Sequence, residues 1–186
     1  DQMRDPAVKD ANNSQWYWDG RPIAAFLRAA FGDKDPLLAV DAAGSVPYFS
    51  RFRALDMLGL NDRYLSLHPN KLSQSYMLGH GLGDGAYTLR RKPDLVIFHL
   101  PYGQDRAEFE GGREMQRLPE FSKFYQLVRY RTPSENVEAM VWVRKEDGPL
   151  GIVRSDGSAT IPGYLLSANP KTRVMIRPGG PAYSVR

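Results

Sequence analysis

The chain of 186 residues is the size of one ordinary domain, and its 42% hydrophobic and 11% aromatic content excludes general disorder. It contains no cysteine, which excludes disulfides, thiolate catalysis and cysteine-based metal sites. The 25 basic residues outnumber the 21 acidic ones by a net charge of +4, but they are scattered, so we expect no nucleic-acid partner.

The N-terminal region is polar up to about residue 15, and it shows neither an initial Met nor a signal peptide. We therefore expect an excised or processed segment of a longer protein. Trp16, Tyr17 and Trp18 follow, and they are interpreted either as an aromatic plug on the core or as a sugar-stacking or membrane-interface surface.

Apolar spacing predicts a helix from Pro22 to Phe31, with Asp19 as its N-cap. After a turn, the short apolar run Leu37 to Val40 predicts a buried strand. A loop of small residues from Asp41 to Ser45 then leads into a helical turn. Chemistry in open α/β sheets tends to lie at such strand ends.

A second strand is predicted from Arg53 to Met57, followed by a turn in which either Asn61 or Asp62 caps a short helix from Arg63 to His68. The residues from Lys71 to Leu78 form a connector of ambiguous structure. Three glycines interleaved with His80 and Asp84 then precede a predicted short helix from Ala86 to Arg91, for which Asp84 is a natural cap.

The almost continuously apolar run Leu95 to Leu100 predicts a central strand that is buried on both faces. We expect the charged segment Gln104 to Arg117 to be an exposed excursion, and Pro119 to Tyr125 to be a short helix. Two strands, Gln126 to Arg131 and Ala139 to Arg144, are predicted to pair in an antiparallel hairpin.

Together these elements predict an α/β fold: a three-layer, mainly parallel sheet with an antiparallel edge hairpin and a small β-rich C-terminal tail. Residues 1–148 form the α/β domain with its N-terminal arm, and residues 149–186 form the tail or subdomain. Ile152-Val153, Thr160-Ile161 and Val174 to Ile176 are the strand candidates of this tail.

The topology predicts a polar crevice at the strand ends, with Asp41, Asp56 and the Asn61-Asp62 turn at one rim, and it leaves open whether His80 and Asp84 reach that rim. Its candidate ligand-binding residues are Asp41, Gly44, Tyr48, Asp56, Asn61, Asp62, His80 and Asp84. The alternative is that these side chains hold the loops together, because buried loop N–H groups need acceptors. Both interpretations remain open at this point.

No cofactor or metal is predicted. The small-residue loop lacks the GxGxxG of a dinucleotide site and the GxxxxGK[ST] of a P-loop. His68, His80 and His99 occur in separate contexts without the HExxH spacing of a zinc protease.

Four segments carry a family resemblance: VDAAGSVPYFS, LDMLGLNDRY, GHGLGDGAY and RKPDLVIF, which together span Leu37 to Phe98, about a third of the chain. They resemble the soluble C-terminal domain of bacterial polytopic membrane glycosyltransferases of the GT-C superfamily, in particular the arabinofuranosyltransferase-like enzymes that use polyprenyl-phosphate sugars. The resemblance does not extend to residues 149–186.

The resemblance implies an extracytoplasmic (periplasmic) domain joined to a bundle of membrane helices in the same polypeptide, at the bacterial inner membrane. In that superfamily the catalytic carboxylate lies in an early loop between membrane helices, and nothing in this chain corresponds to it. The resemblance therefore assigns no catalytic role to Asp41, Asp56 or Asp84. It implies a domain that positions a glycan acceptor or supports the membrane part, with the acceptor or the polyprenyl-phosphate sugar donor as possible ligands.

Two alternatives to this accessory role stay open. One is a free-standing carboxylate-based glycoside hydrolase or sugar-transfer enzyme, with Asp41 or Asp56 as base and His80 as its acid/base partner. The other is a glycan-binding module that uses Trp16, Trp18 or Tyr48 as stacking surfaces.

Overall fold

The computed structural model describes residues 19–68, 80–99, 101–131 and 138–145, and the backbone of four short strands beyond them. For residues 129–131 and 138 it likewise describes the backbone alone. The aromatic cluster at Trp16 to Trp18, the connector at Lys71 to Leu78 and the strand candidate at Ile152-Val153 lie outside the described residues.

The predicted elements that lie within the described residues occur in the predicted order, and one helix and two strands that were not predicted add to them. The helices are Arg21–Phe31 (α1), Ser45–Ser50 (α2), Arg63–Leu67 (α3), Gly85–Arg90 (α4), Glu110–Arg117 (α5) and Pro119–Phe124 (α6), and a 3-10 turn, Gly32–Lys34, extends α1. The strands are Leu37–Val40 (β1), Arg53–Asp56 (β2), Leu95–Ile97 (β3), Tyr125–Arg131 (β4), Glu138–Arg144 (β5), Ser158–Ile161 (β6), Tyr164–Ser167 (β7), Arg173–Met175 (β8) and Tyr183–Val185 (β9).

The main sheet has the strand order β2-β1-β3-β5-β4-β8-β9. β1 lies parallel to β2 on one side and to β3 on the other. β5 runs antiparallel to both β3 and β4, as predicted for the hairpin. β8 pairs in parallel with β4, and β6 and β7 form a separate two-stranded sheet. The α/β class, with a parallel group of strands and an antiparallel side, is confirmed.

Two hydrophobic clusters pack against the parallel strands. Alternate residues of one strand enter different clusters: Leu38 and Val40 lie in the first, and Ala39 lies in the second. β3 divides its residues in the same way, since successive side chains of a strand point to opposite faces. α1 and Val46 of α2 supply the helical part of the first cluster, whereas Met115 of α5 and Phe121 of α6 belong to the second. Both faces of β1 and β3 are therefore covered.

α1 forms where its apolar spacing predicts it, with Ile23, Phe26, Leu27 and Phe31 buried. The predicted cap at Asp19 is wrong, because Gly20 occupies the N-cap position and no side chain caps the helix. The Asp19 carboxylate instead accepts hydrogen bonds from the backbone N–H of Arg21 at 3.0 Å and from its guanidinium at 2.8 and 2.7 Å. The Asp19 carboxylate therefore binds the first residue of the helix from the position before the N-cap.

The prediction of a central strand buried on both faces is confirmed, because β3 lies between β1 and β5 with all of its residues buried. Its predicted C-terminal end is wrong: the strand stops at Ile97, and His99 adopts a left-handed backbone with φ of 59°. His99 therefore lies in the loop that follows the strand, and this position gives it access to the site described below.

The prediction of an exposed excursion at Gln104 to Arg117 is wrong. Its second half forms α5, in which Gly111, Gly112 and Met115 are buried. The Cα atoms of Gly83 and Gly111 come so close that a Cβ on Gly111 would lie 3.1 Å from the Cα of Gly83. The two glycines make the close approach of the segments possible, so they mark a packing contact and not a flexible loop.

Four short strands lie within residues 149–186. β6 contains the predicted Thr160-Ile161 pair, and β8 overlaps the predicted run that begins at Val174. β8 and β9 extend the main sheet beyond β4.

Candidate functional site

Asp41 lies directly after β1, at the carboxyl edge of the parallel strands. Its side chain is buried, with 4% of the residue exposed. Oδ2 accepts a hydrogen bond of 2.8 Å from the backbone N–H of His99, the residue that follows β3 at the same edge. Oδ1 is fully buried and has no hydrogen-bond partner among the residues that the structure describes. A buried carboxyl oxygen without a donor is uncommon, and it makes Asp41 the centre of the candidate site.

Burial raises the pKa of Asp41 to about 7. The hydrogen bond from His99 favours the carboxylate and opposes this shift, whereas the nearby carboxylates of Asp56 and Glu108 add to it. Removing the charged form from water is costly, and the one backbone donor compensates for it incompletely. Asp41 can therefore exchange a proton near neutral pH.

A histidine and a glutamate lie beside Asp41. Nε2 of His99 is 3.1 Å from Oε2 of Glu108, and the His99 side chain is 15% exposed. The ring of Phe109 lies between two imidazoles, with its centroid 5.4 Å from that of His99 and 4.9 Å from that of His80. His80 thus reaches the carboxyl edge through Phe109, a connection that the sequence left undetermined.

Asp56 lies at the end of β2, next to β1, and its carboxylate organises the following turn. Oδ1 accepts from the backbone N–H of Leu58 at 3.0 Å. Oδ2 accepts from the backbone N–H of Asn61 at 2.6 Å and from its side-chain amide at 3.2 Å. Both oxygens of this buried carboxylate are therefore used within one loop, in the manner of an Asx turn.

Asp62 is the N-cap of α3, where it accepts from the backbone N–H of Leu65 at 3.0 Å. This confirms that one residue of the Asn61-Asp62 pair is the cap. The Asp62 carboxylate also accepts from the Tyr87 hydroxyl at 3.2 Å, and that hydroxyl accepts from Arg91 at 2.9 Å. Burial, followed by the charge of Asp62, raises the pKa of Tyr87.

Asp84 is the N-cap of α4, as predicted, and accepts from the backbone N–H of Tyr87 at 2.6 Å. The next residue, Gly85, donates its backbone N–H to Glu114 of α5 at 2.8 Å. The glycine-rich loop is thus held between two helices by carboxylates. The carboxylate of Asp84, the acidic residue of this loop, is already used as the cap of α4.

Gly44 and Tyr48 belong to the loop and helix that follow Asp41. A Cβ on Gly44 would meet no atom within 4 Å, but its backbone, with φ of −88° and ψ of −97°, lies outside the regions that residues with a side chain favour. Tyr48 is 76% exposed, and its ring makes an edge contact with that of Phe49 at 5.0 Å between centroids. Tyr48 therefore offers an exposed aromatic surface, but it makes no hydrogen bond to Asp41 or Asp56.

The structure brings some of the predicted site residues together at the carboxyl edge of the sheet and places others at the starts of helices. Asp41, Asp56 and His80 lie around the carboxyl edge of β1, β2 and β3, and Asn61 joins them through Asp56. Asp62 and Asp84 instead serve the starts of α3 and α4. Among the described residues, no group of three or more His, Asp or Glu side chains is arranged to hold a metal ion.

The sequence reasoning missed Glu108 and the role of His99. The role of His99 could not be predicted because the apolar run favours a strand through Leu100, which would place His99 inside that strand. The useful signal was the change from apolar to polar residues after Phe98, combined with the turn residues that follow. Glu108 carries no local signal, because its contact with His99 depends on the path of the loop before α5.

No helix among the described residues is long and apolar enough to span a membrane. Neither the search of curated proteins nor that of solved structures gave a match. One family model, described as a domain of unknown function (DUF8728), matches residues 7–149, which is most of the chain and includes every residue of the candidate site. The chain belongs to the DUF8728 family.

Proposed function

We propose that this chain is an extracytoplasmic accessory domain of a polyprenyl-phosphate-sugar-dependent membrane glycosyltransferase that acts in cell-envelope glycan assembly. The domain does not itself carry the catalytic residues, and it helps to position the glycan acceptor. Its first partner is the membrane-helix portion of the same polypeptide, at the periplasmic face of the bacterial inner membrane.

The hydrogen bonds of three loop carboxylates are the main observation that supports this proposal. Asp56, Asp62 and Asp84 each accept backbone N–H groups from the loop or helix that follows them, at 2.6 to 3.0 Å. A catalytic pair of carboxylates must instead face one substrate across a cleft, about 5 to 10 Å apart. Because these carboxylates bind backbone N–H groups of their own loops, they support the interpretation of a domain in which the polar residues stabilise the fold.

The positions of the four resembling segments support the same proposal. VDAAG follows β1, LDMLGLND covers the end of β2 and its turn, GDGAY starts α4, and RKPDLVIF leads into and through β3. These three strands are neighbours in the sheet, so segments that are separate in sequence form one continuous region. A family resemblance confined to one spatial unit is expected of a domain with a common architecture.

The proposal includes the finer architecture. The two hydrophobic clusters, with α1 in one and α5 and α6 in the other, support a three-layer arrangement around the sheet. Residues 1–148 would form the α/β domain and residues 149–186 a β-rich tail or subdomain, and the separate β6–β7 pair supports this division.

The decisive experiment uses the full-length gene product. Its upstream region should encode a series of transmembrane segments with an Asp-bearing loop early in the series. In membranes that contain this protein, Asp56→Asn and Asp84→Asn should leave kcat for sugar transfer within about threefold, because they touch no reacting atom. An upstream region without transmembrane segments would exclude the proposal, and so would a loss of kcat beyond a hundredfold in a variant that folds normally.

One observation favours a second candidate, a carboxylate-based glycoside hydrolase or sugar-transfer enzyme. Asp41 has a pKa of about 7 and lies near His99 and Glu108, and a raised carboxyl pKa is what a general acid requires. Against it, both oxygens of Asp41 lie in a side chain that is almost completely buried. Hydrolysis of oligosaccharide substrates by the isolated chain, abolished by Asp41→Asn, would establish this candidate.

A further inference from the structure

A cavity of about 380 Å³ opens at the end of the sheet opposite to Asp41. It lies between α4, α6 and the paired ends of β4 and β5, where Tyr125 is aligned with Arg144. Because β5 runs antiparallel to β3, this is the edge at which β3 begins. The volume falls within the range of sites that bind small molecules. None of the candidate residues at the carboxyl edge lines this cavity.

The walls of the cavity are largely apolar. Leu89 of α4 and Leu118 before α6 are half-buried, and Ala86 lies beside them. Phe124, at the end of α6, is 37% exposed although its ring is large and apolar. Tyr125 forms a buried part of the wall, and its hydroxyl donates to the backbone oxygen of Pro93 at 2.7 Å. Such a surface favours the apolar part of a ligand.

The charges around the cavity are mainly positive. Arg90 and Lys92 are exposed, and within the part of the chain that the structure describes neither makes an ion pair. Arg144 also lines the cavity, but it pairs with Asp94 at 2.5 Å. Glu120 is the acidic residue of the lining. Two cations against one carboxylate fit a ligand with a single negative charge better than they fit a cation or a neutral molecule.

We propose that this cavity binds an amphiphilic carboxylate. The alkyl chain contacts Leu89, Leu118 and Phe124, and the carboxylate is bound by Arg90 and Lys92. Two observations carry the assignment: an apolar pocket of sufficient volume, and charged nitrogens beside it that have no carboxylate partner among the described residues. The inference is independent of the glycosyltransferase proposal, because it uses neither the carboxyl edge nor a membrane partner.

The test measures binding of decanoate to the full 186-residue chain by isothermal titration calorimetry, below the micelle concentration. The comparison ligands are decanol and decyltrimethylammonium, which keep the chain length and change the charge. Ala86→Phe fills the cavity, and the double variant Arg90→Gln/Lys92→Gln removes its cations. Arg28→Gln is the matched control, because it removes an exposed cation from α1, which packs in the other hydrophobic cluster.

Decanoate should bind the wild-type chain and the Arg28→Gln variant equally. The double variant should bind it about tenfold more weakly, since each charge-assisted contact contributes modestly at an exposed position. Ala86→Phe should abolish binding while circular dichroism shows an unchanged fold. The double variant tests the proposal by itself if Ala86→Phe does not fold.

Three results would overturn the proposal: no binding of decanoate, equal affinity for decyltrimethylammonium, or unchanged affinity in the double variant. A further experiment measures binding of the chain to vesicles of phosphatidylglycerol in a sedimentation assay. If the chain binds these vesicles but not monomeric decanoate, the cations recognise a membrane surface and the cavity is not a carboxylate site.

Discussion

The backbone N–H of His99 donates to Oδ2 of Asp41 over 2.8 Å and so links two residues that are 58 positions apart. The bond joins the chain segments that leave β1 and β3 at the carboxyl edge of the sheet. His99 holds a left-handed backbone there, with φ of 59°, a conformation that costs energy for a residue other than glycine. The contact therefore combines backbone strain with a buried carboxylate, a combination that is common at functional sites.

Asp41→Asn should remove a component of the pH dependence of stability. With a folded pKa of about 7, Asp41 keeps its proton in the folded chain between about pH 4 and 7, whereas the unfolded chain has released it. The free energy of unfolding of the wild type should therefore fall by about 1.4 kcal/mol for each pH unit between about pH 4 and 7, relative to that of the variant. Above pH 7 the difference should level off. Urea denaturation at pH 5, 6, 7 and 8 measures both curves. Parallel curves would show that Asp41 titrates normally.

Asp56→Ala should destabilise the chain by about 2–3 kcal/mol, because it leaves the buried backbone N–H of Leu58 without an acceptor. Asp56→Asn keeps one acceptor oxygen and should cost less. Asp33→Ala is the control, since Asp33 is 70% exposed and, among the described residues, pairs with neighbouring Lys34 alone, at 3.4 Å, so its effect should stay within about 0.5 kcal/mol. Equal stability of the Asp56 and Asp33 variants in urea would contradict the structural role of Asp56.

Asp94→Ala should cost about 3–5 kcal/mol, since it leaves the buried Arg144 guanidinium without its counter-ion. Asp94 also accepts from the backbone N–H of Leu37 at 2.8 Å, so the substitution weakens the start of β1 as well. A double-mutant cycle with Arg144→Ala should give a coupling energy of more than about 1 kcal/mol.

The control for that cycle is the exposed pair of Arg113 and Glu110, whose nitrogen and oxygen lie 3.7 Å apart. Arg113→Ala should change the free energy of unfolding by no more than about 0.5 kcal/mol. If the Asp94 and Arg144 substitutions were additive in denaturation experiments, the buried ion pair would have no stabilising role.

Gly85→Ala should destabilise the chain by at least about 2 kcal/mol. An added Cβ would collide with backbone atoms of Gly111 and Met115, which cannot move away as a flexible side chain can. Gly32→Ala is the matched control, because Gly32 has a right-handed helical backbone (φ of −60°, ψ of −29°) and a Cβ there would lie at an ordinary contact distance, 3.5 Å, from the Arg28 side chain, so its effect should stay within about 0.5 kcal/mol. Thermal denaturation compares the two directly. Equal melting temperatures would mean that α4 and α5 do not pack closely.

Local chemistry explains which elements could be predicted. The caps at Asp62 and Asp84 and the antiparallel pairing of β4 and β5 depend on residues that are near in sequence, so residue type and spacing report them. The cap predicted at Asp19 is wrong because the helix begins at Arg21 with Gly20 as its N-cap, which leaves Asp19 one position too early. The prediction of an exposed excursion at Gln104 to Arg117 is wrong because a polar, glycine-rich composition does not distinguish a loop from a helix that packs through its glycines.

The sequence by itself determined the order of the main elements and the position of Asp41 and Asp56 at strand ends. These properties follow from apolar periodicity and turn residues, which act over a few positions. Only the tertiary structure decided that Glu108 lies beside His99 and that one oxygen of Asp41 has no donor within the described part of the chain. Such contacts arise where strands and loops distant in sequence meet, and burial at that point sets the pKa of Asp41.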